Sequence, residues 1–151
     1  MLVITELSEA VEADRKGKEV DIKQFECGVS YSNNDFKKVY EFCIKGSVEE
    51  ELADAAIRLL DLAGLRDVRI FRRNPIEDLL GASYSNIEFT ECVFGIVSNI
   101  TMWSEHIDTC ISSTLERIFA LAESRNIDLL WHINEKMKYN ELRPNKHGKK
   151  Y

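Results

Sequence analysis

Several things are scarce in this chain, and each scarcity narrows what it does. No apolar run approaches the ~20 residues that a membrane-spanning helix needs, so neither a membrane protein nor a membrane partner is indicated. The opening MLVITELSEAVEADRK has no basic region ahead of its apolar patch and carries acids within it, unlike a secretory signal, which makes the cytoplasm the expected location. Basic charge is outnumbered: 20 Lys and Arg against 26 Asp and Glu leave a net charge of −6, which argues against broad binding to nucleic acid but not against small phosphates bound locally. Cys27, Cys43, Cys92 and Cys110 show no CxxC spacing and no paired histidines, so they read as reduced packing residues rather than zinc ligands. There is neither a glycine-rich phosphate loop nor a nucleophile elbow. Without an internal repeat, a low-complexity segment or a dividing linker, residues 1–151 are expected to form one domain.

What is present is helical periodicity. Ile4, Leu7 and Val11 make an apolar stripe over residues 2 to about 16, stopped by Gly17. Residues 20–31 break the pattern: Phe25, Cys27, Val29 and Tyr31 alternate, as in a short strand or extended insertion. Asp35 is an N-cap for a helix carrying Phe36, Val39, Tyr40 and Cys43 at i, i+3, i+4, i+7. Residues 66–73 are basic and loop-like, and Asn74-Pro75 opens a brief helix closed by Gly81. Phe89, Val93, Val97 and Ile100 line one further helix. Ile107, Cys110, Ile111, Leu115, Ile118, Phe119 and Ala122 line the next, over 107–124. Asp128 caps the last helix, which runs to about 142, ahead of Pro144. The expected fold class is all-α, a bundle of four to five main helices.

The helix beginning SVEEELADAAIRLLDLAG, residues 47–64, carries the chemistry. Ser47 with Glu50 reads as a capping box and Glu49 suits the positive helix end, so these two acids need no further role. Apolar residues occupy most of its sides, yet Glu51, Asp54, Arg58 and Asp61 form a polar stripe at i, i+3, i+7, i+10. One explanation is an ion network in which Arg58 pairs with Asp54 and Asp61. Another starts from Glu6 and Glu9 on the first helix. If the two helices pack together, Glu6, Glu9, Glu51 and Asp54 converge, and their mutual repulsion calls for a cation. Mg²⁺ takes oxygen ligands and commonly joins carboxylates to a substrate's phosphates. Lys136, Asn140 and Arg143 share one face of the last helix, with Lys146, His147, Lys149 and Lys150 beyond it, and Arg and Lys are the usual phosphate partners. Taken alone, that basic end also reads as a solvated helix terminus. His106, His132, Trp103 and Trp131 read as packing or surface residues.

The stretches ELSEAVEADRKGK, EEELADAAIRLLDLAG and EKMKYNELRPNKHGKKY, about a third of the chain, resemble the MazG-like all-α nucleoside triphosphate pyrophosphohydrolases, especially small single-domain bacterial and phage members. The resemblance rests on ExxE (Glu6, Glu9), ExxD (Glu51, Asp54) and the YNxxRPxxHGKKY tail, in that order. It implies a helical bundle assembled as a homodimer or homotetramer, with Mg²⁺ held by Glu6, Glu9, Glu51 and Asp54. It further implies hydrolysis of a nucleoside triphosphate, deoxy or non-standard, to the monophosphate and pyrophosphate. Lys136, Asn140, Arg143, Lys146, His147 and Lys149 become substrate-binding candidates; Lys136 and Arg143 would stabilise the leaving group, and Glu9 is the candidate base. Two departures stand out: members generally carry a helix before the first acidic one, and the 41 residues between Glu9 and Glu51 exceed the usual interval. The alternative function is a non-catalytic helical interaction or regulatory protein whose acids serve an ion-pair network.

Overall fold

The computed structural model describes residues 1–31, 35–70, 84–101 and 106–143. Among these, every regular element is helical: α1 (Leu2–Arg15), α2 (Ile22–Ser30), α3 (Phe36–Cys43), α4 (Val48–Leu65), α5 (Phe89–Thr101), α6 (Ile107–Ser124) and α7 (Leu129–Glu141). The all-α expectation holds. The brief helix expected near 74–81 lies outside the described residues, as do Trp103 and the tail carrying Lys146, His147, Lys149 and Lys150. Among the described residues no helix is long and apolar enough to cross a membrane.

Short polar side chains start the helices where the sequence placed them. Asp35 accepts from the Lys37 amide at 3.1 Å, Ser47 from the Glu50 amide at 3.1 Å and Asp128 from the Trp131 amide at 3.0 Å. α4 is the hub, packed on α1, α6 and α7, while α5 bridges α1 and α6. Leu52, Ala53, Ala55, Ala56 and Leu59 are buried around its circumference, and the alanines let neighbouring helices approach closely. Leu7 and Ala10 of α1, Ile96 of α5, and Ile118 and Leu121 of α6 are fully buried in the same core. Removing a side chain the size of Leu52 from such a site costs about 2–5 kcal/mol.

Residues 20–31 correct the strand-like expectation. Asp21 accepts from the Gln24 amide at 3.0 Å and opens α2. Of the alternating residues only Phe25 is buried, while Cys27 and Tyr31 are exposed, so the period of two reported no buried face. The exposure of Cys27 also removes it from the expected packing cysteines. Phe25 anchors a second cluster, meeting Trp131 edge to face at 5.6 Å and packing with Val39, Tyr40, Ile44 and Tyr139. Gly28 permits the close approach of α2 to α3, because a Cβ there would lie 2.8 Å from Val39 Cγ1. This cluster seats α2 and α3 against α7 and fixes Tyr40 at the edge of the acidic site.

Candidate functional site

The packing of α1 on α4 brings together carboxylates 42 or more positions apart. Glu6 and Glu9 lie one turn apart on α1, and each offers an oxygen within 4.8 Å of one from Glu51 and of one another. Glu6 and Glu51 are buried and Glu9 is exposed, so the cluster opens to solvent on the Glu9 side. Removing the Glu51 carboxyl from water pushes it up to about 8, and the charges of Glu50, Asp54 and Glu9 push the same way, against the pull of Lys136. The three ligand atoms are carboxylate oxygens, the type that Mg²⁺ prefers, and a cation among them would offset the burial and the neighbouring charges that together keep Glu51 protonated.

Asp54 follows a different path from the other three. Its carboxylate meets Lys136 Nζ at 2.6 Å, and the same ammonium bonds Glu50 at 2.5 Å. Burial raises Asp54 to about 6 even with the lysine pulling it down, while Glu50 and Glu6 add to the rise. Burial also works against the charged Lys136, but Asp54 and Glu50 outweigh it and hold its pKa above the ordinary value. Glu50 additionally accepts from the Tyr40 hydroxyl at 3.3 Å and from the Gly46 amide. Burial, followed by the charges of Glu50 and Asp54, raises the Tyr40 phenol, so it remains a donor. Tyr40 stacks on Tyr139 with ring centroids 4.4 Å apart, and Tyr139 donates to Glu41 at 2.9 Å.

The polar stripe of α4 is therefore not one unit. Glu51 turns to α1, Asp54 to α7, Arg58 back to α1 and Asp61 to solvent. The Arg58 Nε–H donates to Glu6 at 3.0 Å, replacing the expected pairing with Asp54 and Asp61 by one that no local spacing reveals. Glu49 and Glu50 correct the reading that assigned them to capping alone. Both are buried; Glu49 accepts from the Val20 amide at 3.1 Å, and Glu50 is the second partner of Lys136. A signal existed in the i, i+4 spacing of Glu50 and Asp54, which puts both on one face.

Of the basic candidates, Lys136 is buried between its two acids, whereas Asn140 and Arg143 are half-buried at the end of α7. The Arg143 guanidinium lies over the Tyr139 ring, 5.5 Å from its centroid. Lys136 and Tyr139 on α7 and Arg143 just beyond its end thus follow one another from the buried acids outward. Comparison with protein-family models, with curated proteins and with solved structures found no match.

Proposed function

We propose that this protein is a Mg²⁺-dependent nucleoside triphosphate pyrophosphohydrolase that releases the monophosphate and pyrophosphate, acting on a deoxy or non-standard nucleotide. The observation that carries the reading is the convergence of Glu6, Glu9 and Glu51 from two helices within 4.8 Å, with basic side chains on a neighbouring helix. The sequence resemblance to MazG-like enzymes supports the choice of reaction.

When bound, Mg²⁺ supplies neutralisation of polyphosphate charge and a water of lowered pKa. Glu9, the exposed member of the cluster, takes the proton of the attacking water as its oxygen bonds to phosphorus and the bond to the departing pyrophosphate breaks. Arg143, steadied on Tyr139, offers its planar fork to the phosphates, and Asn140 one turn from Lys136 adds an amide. Lys136, enclosed by Asp54 and Glu50, holds those two carboxylates in place beside the cluster. Lys146, His147 and Lys149 are proposed as further phosphate partners. A homodimer or homotetramer is proposed to cover Phe94 and Phe119, 71% and 39% exposed, since the apolar residues of α4 are largely used within the protomer.

The ion pairs Lys136–Asp54, Lys136–Glu50 and Arg58–Glu6 favour a second reading, in which the acids are structural and the protein is a non-catalytic interaction or regulatory module. A panel of ribo- and deoxyribonucleoside triphosphates with Mg²⁺, products resolved by ion exchange, separates the two. Monophosphate plus pyrophosphate is expected; no turnover of any nucleotide, or diphosphate plus phosphate, would reject the assignment.

A further inference from the structure

Lys136 reaches the acids of α4 from the side opposite to α1. α7 packs on the face of α4 that carries Glu50 and Asp54, one turn apart, while Glu51 turns to α1. The Lys136 ammonium bonds Glu50 at 2.5 Å and Asp54 at 2.6 Å, and it lies 5.7 Å from the centroid of the Tyr139 ring. Only 7% of the Lys136 side chain, 2% of that of Glu50 and 16% of that of Asp54 is exposed. Water is a poor substitute for any member of this triad.

Burial decides which bonds yield. Drawing the ammonium out toward a phosphate would strand two carboxylates where water barely reaches, and leaving a buried charge without its partner is strongly destabilising. Lys136 therefore stays with its acids. The same bonds hold Asp54: Glu6, Glu9 and Glu51 offer oxygens within 4.8 Å of one another, and Asp54, a single turn from Glu51, is not of that group. Arg58 is a different case, because its Nε–H meets Glu6 alone and 42% of its side chain is exposed, so water can take over that bond. Glu6 remains available to an ion; Asp54 does not.

We propose that Lys136 is a resident cation that withholds Asp54 from the metal, so that the site binds a single divalent ion per protomer through Glu6, Glu9 and Glu51 alone. The proposal rests on the reading of those three acids as a cation site and on no particular reaction. Two of the five neighbouring carboxylates, Glu50 and Asp54, already have their positive charge in Lys136, which leaves the other three to the ion. Mg²⁺ takes about six oxygens in octahedral array, so three carboxylates giving one oxygen each leave half of its shell to water or phosphate. Lys136 is thus a positioning residue: it sets the number of protein ligands without touching substrate.

Titration of the full chain with Mn²⁺ in the absence of nucleotide, bound ion being counted by loss of the free-ion EPR signal, tests the proposal. The wild type should bind a single ion per protomer. Asp54→Asn should change its Kd by less than about fivefold, the effect of a nearby charge rather than of a lost ligand. In a Lys136→Met background Asp54 is released to the ion, and there the same Asp54→Asn change should weaken binding by about tenfold or more. In the wild type itself the Lys136 ammonium should give a nitrogen NMR signal that exchanges slowly with water in EDTA and equally slowly at saturating Mg²⁺, a readout that depends on no variant folding. More than one ion in the wild type, an equal effect of Asp54→Asn in the two backgrounds, or loss of the ammonium signal on Mg²⁺ binding would overturn the proposal. A wild type that binds no ion would reject the cation site itself, and the proposal with it.

Discussion

Replacing Glu51 with glutamine removes one charge from the most crowded point of the fold and keeps its shape. The Glu51 carboxyl is held near 8 in the folded protein against an ordinary 4.5, so the folded state keeps a proton that the unfolded chain gives up. Such a group favours folding fully below its unfolded pKa, and that contribution is lost as pH rises through 8. Each pKa unit corresponds to about 1.36 kcal/mol, so the displacement penalises the metal-free wild type by about 3–5 kcal/mol at pH 8.5 and by almost nothing at pH 4.5. Glu51→Gln should therefore match the wild type in urea melts at pH 4.5 in EDTA. It should exceed the wild type by about 3 kcal/mol or more at pH 8.5, once part of the penalty is discounted for relaxation. On the proposed hydrolase reading the same variant should lose pyrophosphate release by orders of magnitude, because the charge that is a burden without metal is the one proposed to bind it. A variant less stable than wild type at pH 8.5, or one that keeps turnover, would refute the reasoning.

Other perturbations have expected outcomes of their own. Lys136→Met strands the Glu50 and Asp54 carboxylates in a buried site, and urea melts should show a loss of about 3–5 kcal/mol that Asp54→Asn partly restores. Gly28→Ala drives a Cβ into Val39 and should cost about 1–3 kcal/mol, read as a lower thermal midpoint with loss of α2 protection in hydrogen exchange. His132, folded pKa near 4 against 6.5, lends stability that is full above pH 6.5 and fades as pH falls through 4. Asp14, Glu19, Glu49, Arg125 and Asp128 line one cavity with His132, so the comparison is with His132→Phe, whose stability relative to wild type should rise by about 2–3 kcal/mol between pH 7 and pH 4.

Local signals carried most of the fold and part of the site. Asp35, Ser47 and Asp128 announced helix starts because a cap needs only its own next few amides. The bounds of α6 followed from an unbroken apolar stripe. Residues 20–31 misled because apolar residues at alternate positions imply a strand only if one face is buried, and Phe25 alone is buried, by Phe36 and Tyr40 of α3 together with Trp131, over a hundred positions away. Separations of 86 and 52 positions likewise hid the pairing of Glu50 with Lys136 and of Arg58 with Glu6. Local spacing showed that α4 carries more charge than a core helix needs, but whether each charge meets α1, α7 or water depends on which helices pack beside it. Glu6, Glu9 and Glu51 were legible because two paired-acid motifs pointed at one another; Asp54, bonded to Lys136, shows that membership of a motif does not settle a side chain's neighbour.

The most direct measurement is the thermal midpoint of the wild type and of Glu51→Gln, each in EDTA and across a Mg²⁺ titration at pH 8. A ligand bound only by the folded state stabilises it by mass action, by about 2.7 kcal/mol at a hundredfold excess over Kd. The expected result is a saturable rise in the wild type and none in Glu51→Gln, with the variant starting from the higher midpoint in EDTA. Equal shifts in the two proteins, or no shift in either, would contradict a cation site at Glu6, Glu9 and Glu51.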